Sequence, residues 1–466
     1  MTAKAPTSTA SPVLAGTGPR SPSLRYAWYV VIVLMTCYTL SFIDRQILSL
    51  LVGPIKHDLQ ISDTRIGLLQ GLAFATFYTL LGLPVGRVAD RHSRRNLIAT
   101  GIFLWSLMTA LCSVAKSFGS LFLARMGVGV GEATLAPAAF SIISDYFPEE
   151  SLGTALSVYA MGIFIGSGLA LIVGGTVVSA VSGRPETHLP LIGAIASWRL
   201  TFLIVGLPGV IVGFLIYTIR EPLRRNLQRA ADGQITRPGI AEAAAQIRRR
   251  WKPVAGVSMG LSCQAMCNYA LLAWAPTYFQ RVYGWGPRKT GIALGIIILT
   301  IGVFGMYSGG RLCDRWKSQG KPEAPLRVGV ISTASAGTLF VLSMLAPGIT
   351  STLVLFALSQ IFLAMPVGSS YAALQFIFPN QLRGQVSALL IFTINVGGVM
   401  LGPLLPGLFN DHLFKNGNLV GYSLALTIGG ASLLSAILFR SIYRPYRASY
   451  YELRQETLGE PEPARV

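Results

Sequence analysis

Four ionisable side chains stand inside otherwise apolar runs of this 466-residue chain: Asp44 and Arg45 in one run, Arg125 and Glu132 in another. A charge at mid-bilayer depth costs about 2.5 to 3.5 kcal/mol on insertion scales, so such residues face a cavity or a partner. Arg125 and Glu132 are seven positions apart. On an α-helix that spacing puts them on one face, about 10 Å apart along the axis. The two runs cross in opposite directions, and Asp44 and Arg45 then fall at a depth between the other pair, so the four can form one neutral cluster. Breaking an ion pair in an apolar setting turns a carboxylate into a proton acceptor near neutral pH. Asp44 and Glu132 are therefore read as carriers of a coupling proton, and Arg45 and Arg125 as holders of an anionic substrate group. A salt bridge that only clips two helices together is the alternative reading of the same residues.

Little else in the chain could run an enzyme or hold a metal. The four histidines, His57, His92, His188 and His412, scatter through predicted loops. The five cysteines lie in or at the ends of apolar runs, where a thiol packs as a small hydrophobe. Cys263 and Cys267 are one helical turn apart but have no third ligand nearby, which favours packing over metal binding. No disulfide framework, metal or other cofactor is expected. Without an intramembrane histidine a hydrolase or acyltransferase is a poor reading, and no G-x-x-x-x-G-K-[ST] phosphate loop is present to support ATP drive. The protein is read as a non-enzyme.

The charges are positioned by apolar segments of about 20 residues, the length that a spanning helix needs. Twelve are legible, at residues 26–52, 66–88, 96–115, 118–146, 152–181 and 198–219, then 254–279, 290–312, 326–345, 352–378, 385–409 and 419–442. They predict an all-α integral membrane protein of two six-helix bundles, residues 26–220 and 254–442, joined by a basic linker at 221–253. Residues 1–25, rich in Ser, Thr, Pro and Ala, are expected to be a disordered tail, and residues 443–466 a second tail. Composition agrees: 52% of residues are hydrophobic and 12% charged, against about 25% charged in soluble domains, and mean hydropathy is +0.56.

The net charge of +19 is divided among many short loops, which argues against a nucleic-acid or membrane-surface binder. Of the 38 Lys and Arg residues, 27 fall on the side bearing the termini and the even-numbered connections, and nine on the other. Such an excess marks the cytoplasmic side. Both termini are expected inside, with the chain crossing a bacterial inner (plasma) membrane.

The second half carries no matching intramembrane charges. Its candidates for substrate contact are Asn268, Tyr269, Trp274, Tyr371, Gln375 and Asn395, although interhelical packing accounts for any one of them equally well. A cavity charged on one wall and largely apolar on the other suits an amphipathic molecule.

The halves also repeat. Gly86-Arg-Val-Ala-Asp90-Arg91 after the second segment is echoed by Gly310-Arg-Leu-Cys-Asp314-Arg315 after the eighth, and Phe147-Pro148 with Gly153 by Phe378-Pro379 with Gly384. Parallel repeats of this kind occur in alternating-access transporters, which bind their substrate at the midplane between the halves. The first motif continues into Arg94 and Arg95 and resembles the signature loop of the major facilitator superfamily. Gly310 to Arg315 resembles its weaker second copy, and the run from Arg125 through Gly127, Gly129 and Gly131 to Glu132 resembles another motif of that superfamily. With Phe42-Ile-Asp44-Arg45, the chain after its tail is more particularly similar to the Spinster group of proton-coupled lipid or sphingolipid transporters.

The resemblance implies a monomeric secondary transporter of a lysophospholipid-like or sphingolipid-like amphipathic substrate. It also implies a gating role for Gly86, Asp90, Arg91, Arg94, Arg95, Gly310, Asp314 and Arg315, which would latch the halves in an outward-open state. Proton-driven drug efflux or small organic anion transport would use the same charges. The small-residue stripe Gly162, Gly166, Ala170 and Gly174, and Gly398 and Gly402 followed by Pro403 and Pro406, fit helices that pack closely or rock.

Overall fold

The computed structural model describes residues 23–182, 186–189, 193–222, 240–379 and 381–458. Of the first expected tail only residues 23–25 fall among them. Twelve helical passages run through the described residues. Helix 1 is Leu24–Leu50, helix 2 is Asp63–Gln70 continued by Leu72–Arg91, helix 3 is Arg94–Leu111, and helix 4 is Phe118–Glu132 continued by Leu135–Tyr146. Helix 5 is Glu149–Ser182, helix 6 Ser197–Leu215, helix 7 Trp251–Tyr283, and helix 8 Pro287–Ile297 continued by Val303–Ser318. Helix 9 is Ala324–Leu345, helix 10 Ile349–Ala364, helix 11 Arg383–Ile394 continued by Leu401–Leu408, and helix 12 Val420–Ser441.

Several departures from the sequence reading have local causes. The tenth segment, expected as helix to residue 378, is interrupted after Ala364 and ends with one short helical turn at Pro366–Ser369. Pro366 has no N–H to give the carbonyl of the preceding turn, and Ser370 turns its hydroxyl to the Pro325 carbonyl at 2.9 Å. Helices 8 and 11 contain π-helical turns at Ile298–Gly302 and Asn395–Met400, a feature concentrated at functional sites. The linker contains a helix at Ile240–Arg249, and the second tail forms a helix at Tyr443–Leu458. That tail helix is docked: the buried Tyr446 hydroxyl donates to the Ala373 carbonyl at 2.8 Å, and Arg447 pairs with the buried Glu323. A short hairpin pairs Glu186–Leu189 with Gly193–Ala196.

The two halves touch on one side only. On the side away from the termini a single core joins first-half residues such as Ile47, Leu69 and Phe202 to second-half residues such as Trp274, Phe340 and Leu424. On the side of the termini the apolar core divides into a cluster around Val31, Ile102 and Tyr159, first-half except for Val399 of helix 11, and a second-half cluster around Leu261, Leu374 and Phe439. Glycines record the same asymmetry. A Cβ on Gly67 would stand 2.6 Å from the Pro403 carbonyl oxygen, and one on Gly71 2.6 Å from that of Met400, so helices 2 and 11 meet backbone to backbone. Gly175 meets Pro287 of helix 8 as closely. At Gly86, Gly153, Gly310 and Gly384, on the side of the termini, no atom of the described residues comes within 4 Å of that position. The molecule is closed away from its termini and open toward them.

Candidate functional site

Helix 4 breaks immediately after Glu132, where Thr134 turns its hydroxyl back to the Gly131 carbonyl at 2.8 Å. The break aims the carboxylate at helix 1. There the Arg45 Nε and Nη2 atoms both reach Glu132 Oε2 at 2.6 Å. The Arg45 guanidinium also lies over the rings of Phe74 at 4.3 Å, Phe42 at 4.8 Å and Tyr78 at 5.0 Å. A delocalised cation keeps its charge in such an aromatic cradle at low desolvation cost.

The four intramembrane charges lie close together, and within the group only Arg45 and Glu132 form an ion pair among the described residues. Arg125 is 1% exposed, and its Nη1 donates to the main-chain oxygen of Asp44 at 3.2 Å rather than to a carboxylate. Its Nε and the second oxygen of Glu132 have no hydrogen-bond partner among the described residues. Asp44 is buried beside Arg125, Glu132 and Trp105.

Arg45 is the member of the cluster that reaches open space. It stands in the wall of a cavity of about 370 Å³ between the halves. Tyr38, Phe42, Tyr78, Phe140 and Phe164 line the first-half wall. Asn268, Tyr269, Tyr371 and Asn395 line the second-half wall, together with Gln264 and Gln360. Asn395 and Ile298, the first residues of two of the three described π-helical turns, line the cavity, whereas the third turn, Phe409–Phe414, does not.

Three expected contacts are corrected. Arg125 lines a separate chamber behind Arg45 and not this cavity. Trp274 is buried and donates its indole N–H to the Pro403 carbonyl at 2.7 Å, a packing role. Gln375 is exposed in the irregular turn after helix 10. Gln264 and Gln360 were visible as amides within apolar runs, the same signal that singled out Asn268.

The gating residues sit on the open side. Arg94 is buried and bound to its own half and to the first residues of the linker: its Nε is 2.9 Å from Glu221, its Nη1 donates to Ser141 at 2.8 Å and to Asp145, and its Nη2 donates to the Pro222 carbonyl at 3.0 Å. Arg95 donates its main-chain N–H to Glu221 at 2.9 Å. Burial pushes the Glu221 carboxyl up, but the hydrogen bonds from Arg95, Arg94 and Ser93 outweigh it and hold the group below its usual range. Gly86, Arg91, Gly310, Asp314 and Arg315 lie near the open ends of helices 2 and 8, and the Asp90 side chain falls outside the described ones.

The opposite side holds a clasp that sequence reasoning missed. Asp63, fully buried, binds Lys56 at 2.5 Å, Arg281 of helix 7 at 2.7 and 2.8 Å, and the Asn410 amide at 3.0 Å. In return Asp411 accepts the main-chain N–H groups of Asp63 at 3.2 Å and Thr64 at 2.6 Å, where helix 2 begins. Each half thus offers a carboxylate to the other. In the sequence these acids look like ordinary loop-end residues.

Two six-helix halves that meet on one side, open on the other and share a central cavity define a membrane carrier. The chain belongs to the Major Facilitator Superfamily, whose profile matches residues 34–345. An "MFS-type efflux pump" of Mycolicibacterium smegmatis is 28% identical over 434 residues, covering 92% of this chain and 95% of that protein. "Protein spinster homolog 1" of Xenopus tropicalis is 28% identical over 407 residues, covering 84% and 74%. Among solved structures, a bacterial homolog of the human lysosomal transporter Spinster, inward-facing and unoccupied, superposes with a TM-score of 0.73 at 24% identity, covering 95% of this chain and all of that one. The fold and family are those of multi-pass membrane transporters, with relatives in the Spinster group.

Proposed function

We propose that the protein moves an amphipathic, lipid-like substrate, a lysophospholipid or sphingolipid, across the membrane by proton-coupled alternating access. The observation that carries this reading is the placement of Arg45: a cation, paired with Glu132, in the wall of a cavity whose other described lining residues are uncharged, apolar, aromatic and amide. An anionic headgroup entering the cavity competes with Glu132 for the guanidinium. Once released, a carboxylate with one oxygen already unpartnered in an apolar setting takes a proton instead. Asp44 provides the second carboxylate of the same cluster. The Tyr, Phe and amide walls accommodate the apolar body and its polar neck, with Asn268, Tyr371 and Asn395 on the second-half side. The basic-residue excess assigns the open side to the cytoplasm, so the described conformation is inward-open, with both termini cytoplasmic in a bacterial inner membrane. Arg94 and Arg95, bound here to their own half and the start of the linker, and the loop copy at Gly310, Asp314 and Arg315 engage the other half when that side shuts. The carrier works as a monomer.

The test is flux in proteoliposomes under an imposed pH gradient. Glu132→Gln and Asp44→Asn abolish pH-driven accumulation while substrate exchange persists; undiminished accumulation in both removes the coupling role. The substrate class is tested by thermal shift with lysolipids, sphingoid bases, cationic drugs and organic anions, since a ligand of the native state raises its melting temperature. The near full-length likeness to a protein named as an efflux pump supports a second reading, proton-driven export of amphipathic drugs. Silence of every lysolipid and sphingoid base with a response to drugs selects it.

A further inference from the structure

Behind Arg45, on the closed side, lies a second and much smaller chamber of about 40 Å³. Arg45, Gln46, Gln70, Arg125 and Tyr269 supply its polar lining, and Phe74, Val399 and Pro403 part of its apolar lining. Arg45 is common to both linings and so partitions them, whereas Arg125 and Gln70 face only the chamber. We propose that this chamber binds a small inorganic anion of halide size, held by Arg125 and the Gln70 amide.

The donor inventory points there. A guanidinium has five N–H donors and no acceptor, and Arg125, buried to 1% exposure, donates to the Asp44 carbonyl through Nη1 while its Nε stays unpartnered. Among the described residues Arg125 has no carboxylate within ion-pair distance, whereas Arg45 is neutralised by Glu132. The Gln70 Nε2 is likewise buried and unpartnered. Unmade donors on a buried cation are costly, and an anion answers both deficits at once by accepting the free N–H groups of Arg125 and Gln70, which neither Asp44, buried beside Arg125, nor Glu132 takes up. Bonds from an ionised donor to an anion are about twice as strong as neutral ones, which favours a halide over water in the same space. Among the described residues two guanidiniums and no carboxylate line the chamber, which disfavours a cation there. Its volume admits a few water-sized particles and excludes a lipid headgroup, so the site is separate from the proposed substrate cavity.

The experiment uses the purified full-length protein and sodium chloride or bromide exchanged against sodium gluconate at constant ionic strength. The melting temperature is expected to rise saturably with halide, as binding to the native state requires. Gln70→Leu keeps every charge and removes one donor. In that variant the halide concentration for half effect rises roughly tenfold, the cost of one hydrogen bond to a charged ligand. Arg125→Lys weakens the response further, and bromide soaked into crystals gives an anomalous peak beside Gln70. Equal melting temperatures in chloride and gluconate, or a chloride response unchanged in Gln70→Leu, overturn the proposal and leave water in the chamber. None of these readouts involves transport, so the outcome is independent of the carrier reading.

Discussion

Removing the Asp63 carboxylate should open the closed side. Asp63→Ala deletes the bonds to Lys56, Arg281 and Asn410 together. Breaking a buried pair by removing one partner typically costs 3 to 5 kcal/mol, roughly, because the other charge is left uncompensated. Here the abandoned cations are partly wetted, at 18% exposure for Arg281 and 28% for Lys56, so water recovers part of that and the loss is about 2 to 3 kcal/mol. The bonds to Arg281 and Asn410 join one half to the other, so most of the loss falls on this conformation and spares its alternative. At 1.4 kcal/mol per decade the population ratio moves roughly 30- to 100-fold toward opening of this side. The assay is a spin-label distance between His57→Cys and His412→Cys, exposed positions on the two halves beside the clasp; the five native cysteines are buried and stay silent. A longer-distance population should grow in Asp63→Ala and, less fully, in Arg281→Ala. A folded Asp63→Ala protein with the wild-type distance distribution refutes the view that the clasp holds this side shut.

Three further outcomes are expected. Arg45→Lys keeps the charge but loses the two-atom grip on Glu132 and the flat contact with Phe74 and Tyr78, so KM in the flux assay should rise roughly tenfold with little change in melting temperature. Gly71→Val, placing a side chain against the Met400 and Val399 carbonyls, should lengthen the His57 to His412 distance without altering any charge, whereas Gly310→Ala, in open space, should not. The tail helix should be pH-sensitive only in acid. Burial pushes the Glu323 carboxyl up, but hydrogen bonds from Arg447, its own backbone and Arg327 outweigh this and hold it below its usual range. A depressed carboxylate stabilises above its unpaired value, near 4.3 or so, and that contribution is lost as pH falls through the depressed one. Protection of the amides of residues 443–458, measured as exchange relative to the intrinsic rate at each pH, should therefore hold from pH 7 to 5 and fall below about 4. In Glu323→Gln it should already be lowered at pH 7, by about 1 kcal/mol, since the arginine partners are largely solvated.

By itself the sequence determined the spans, the internal repeat and the identity of the four intramembrane charges. Each of these is a local property: apolar length, recurring motif, and a charge where bilayer insertion penalises one. Helix breaks were less legible, because Pro366 and the serines after it end helix 10 inside a run that hydropathy alone reads as continuous. Pairing was beyond it. Depth along two helices places Asp44, Arg45, Arg125 and Glu132 together, but the rotation of helix 1 and the break after Glu132 decide that Arg45 takes the carboxylate and Arg125 a carbonyl. The same rotation separates Arg45, in the cavity wall, from Arg125, in the chamber behind it. The clasp around Asp63 depended wholly on tertiary structure, since Asp63, Arg281 and Asp411 are brought together from distant positions and each looks like an ordinary loop-end charge until the halves meet. Which side is shut lies in that contact too, because one sequence must support both arrangements of its halves, and only the packed interface distinguishes them.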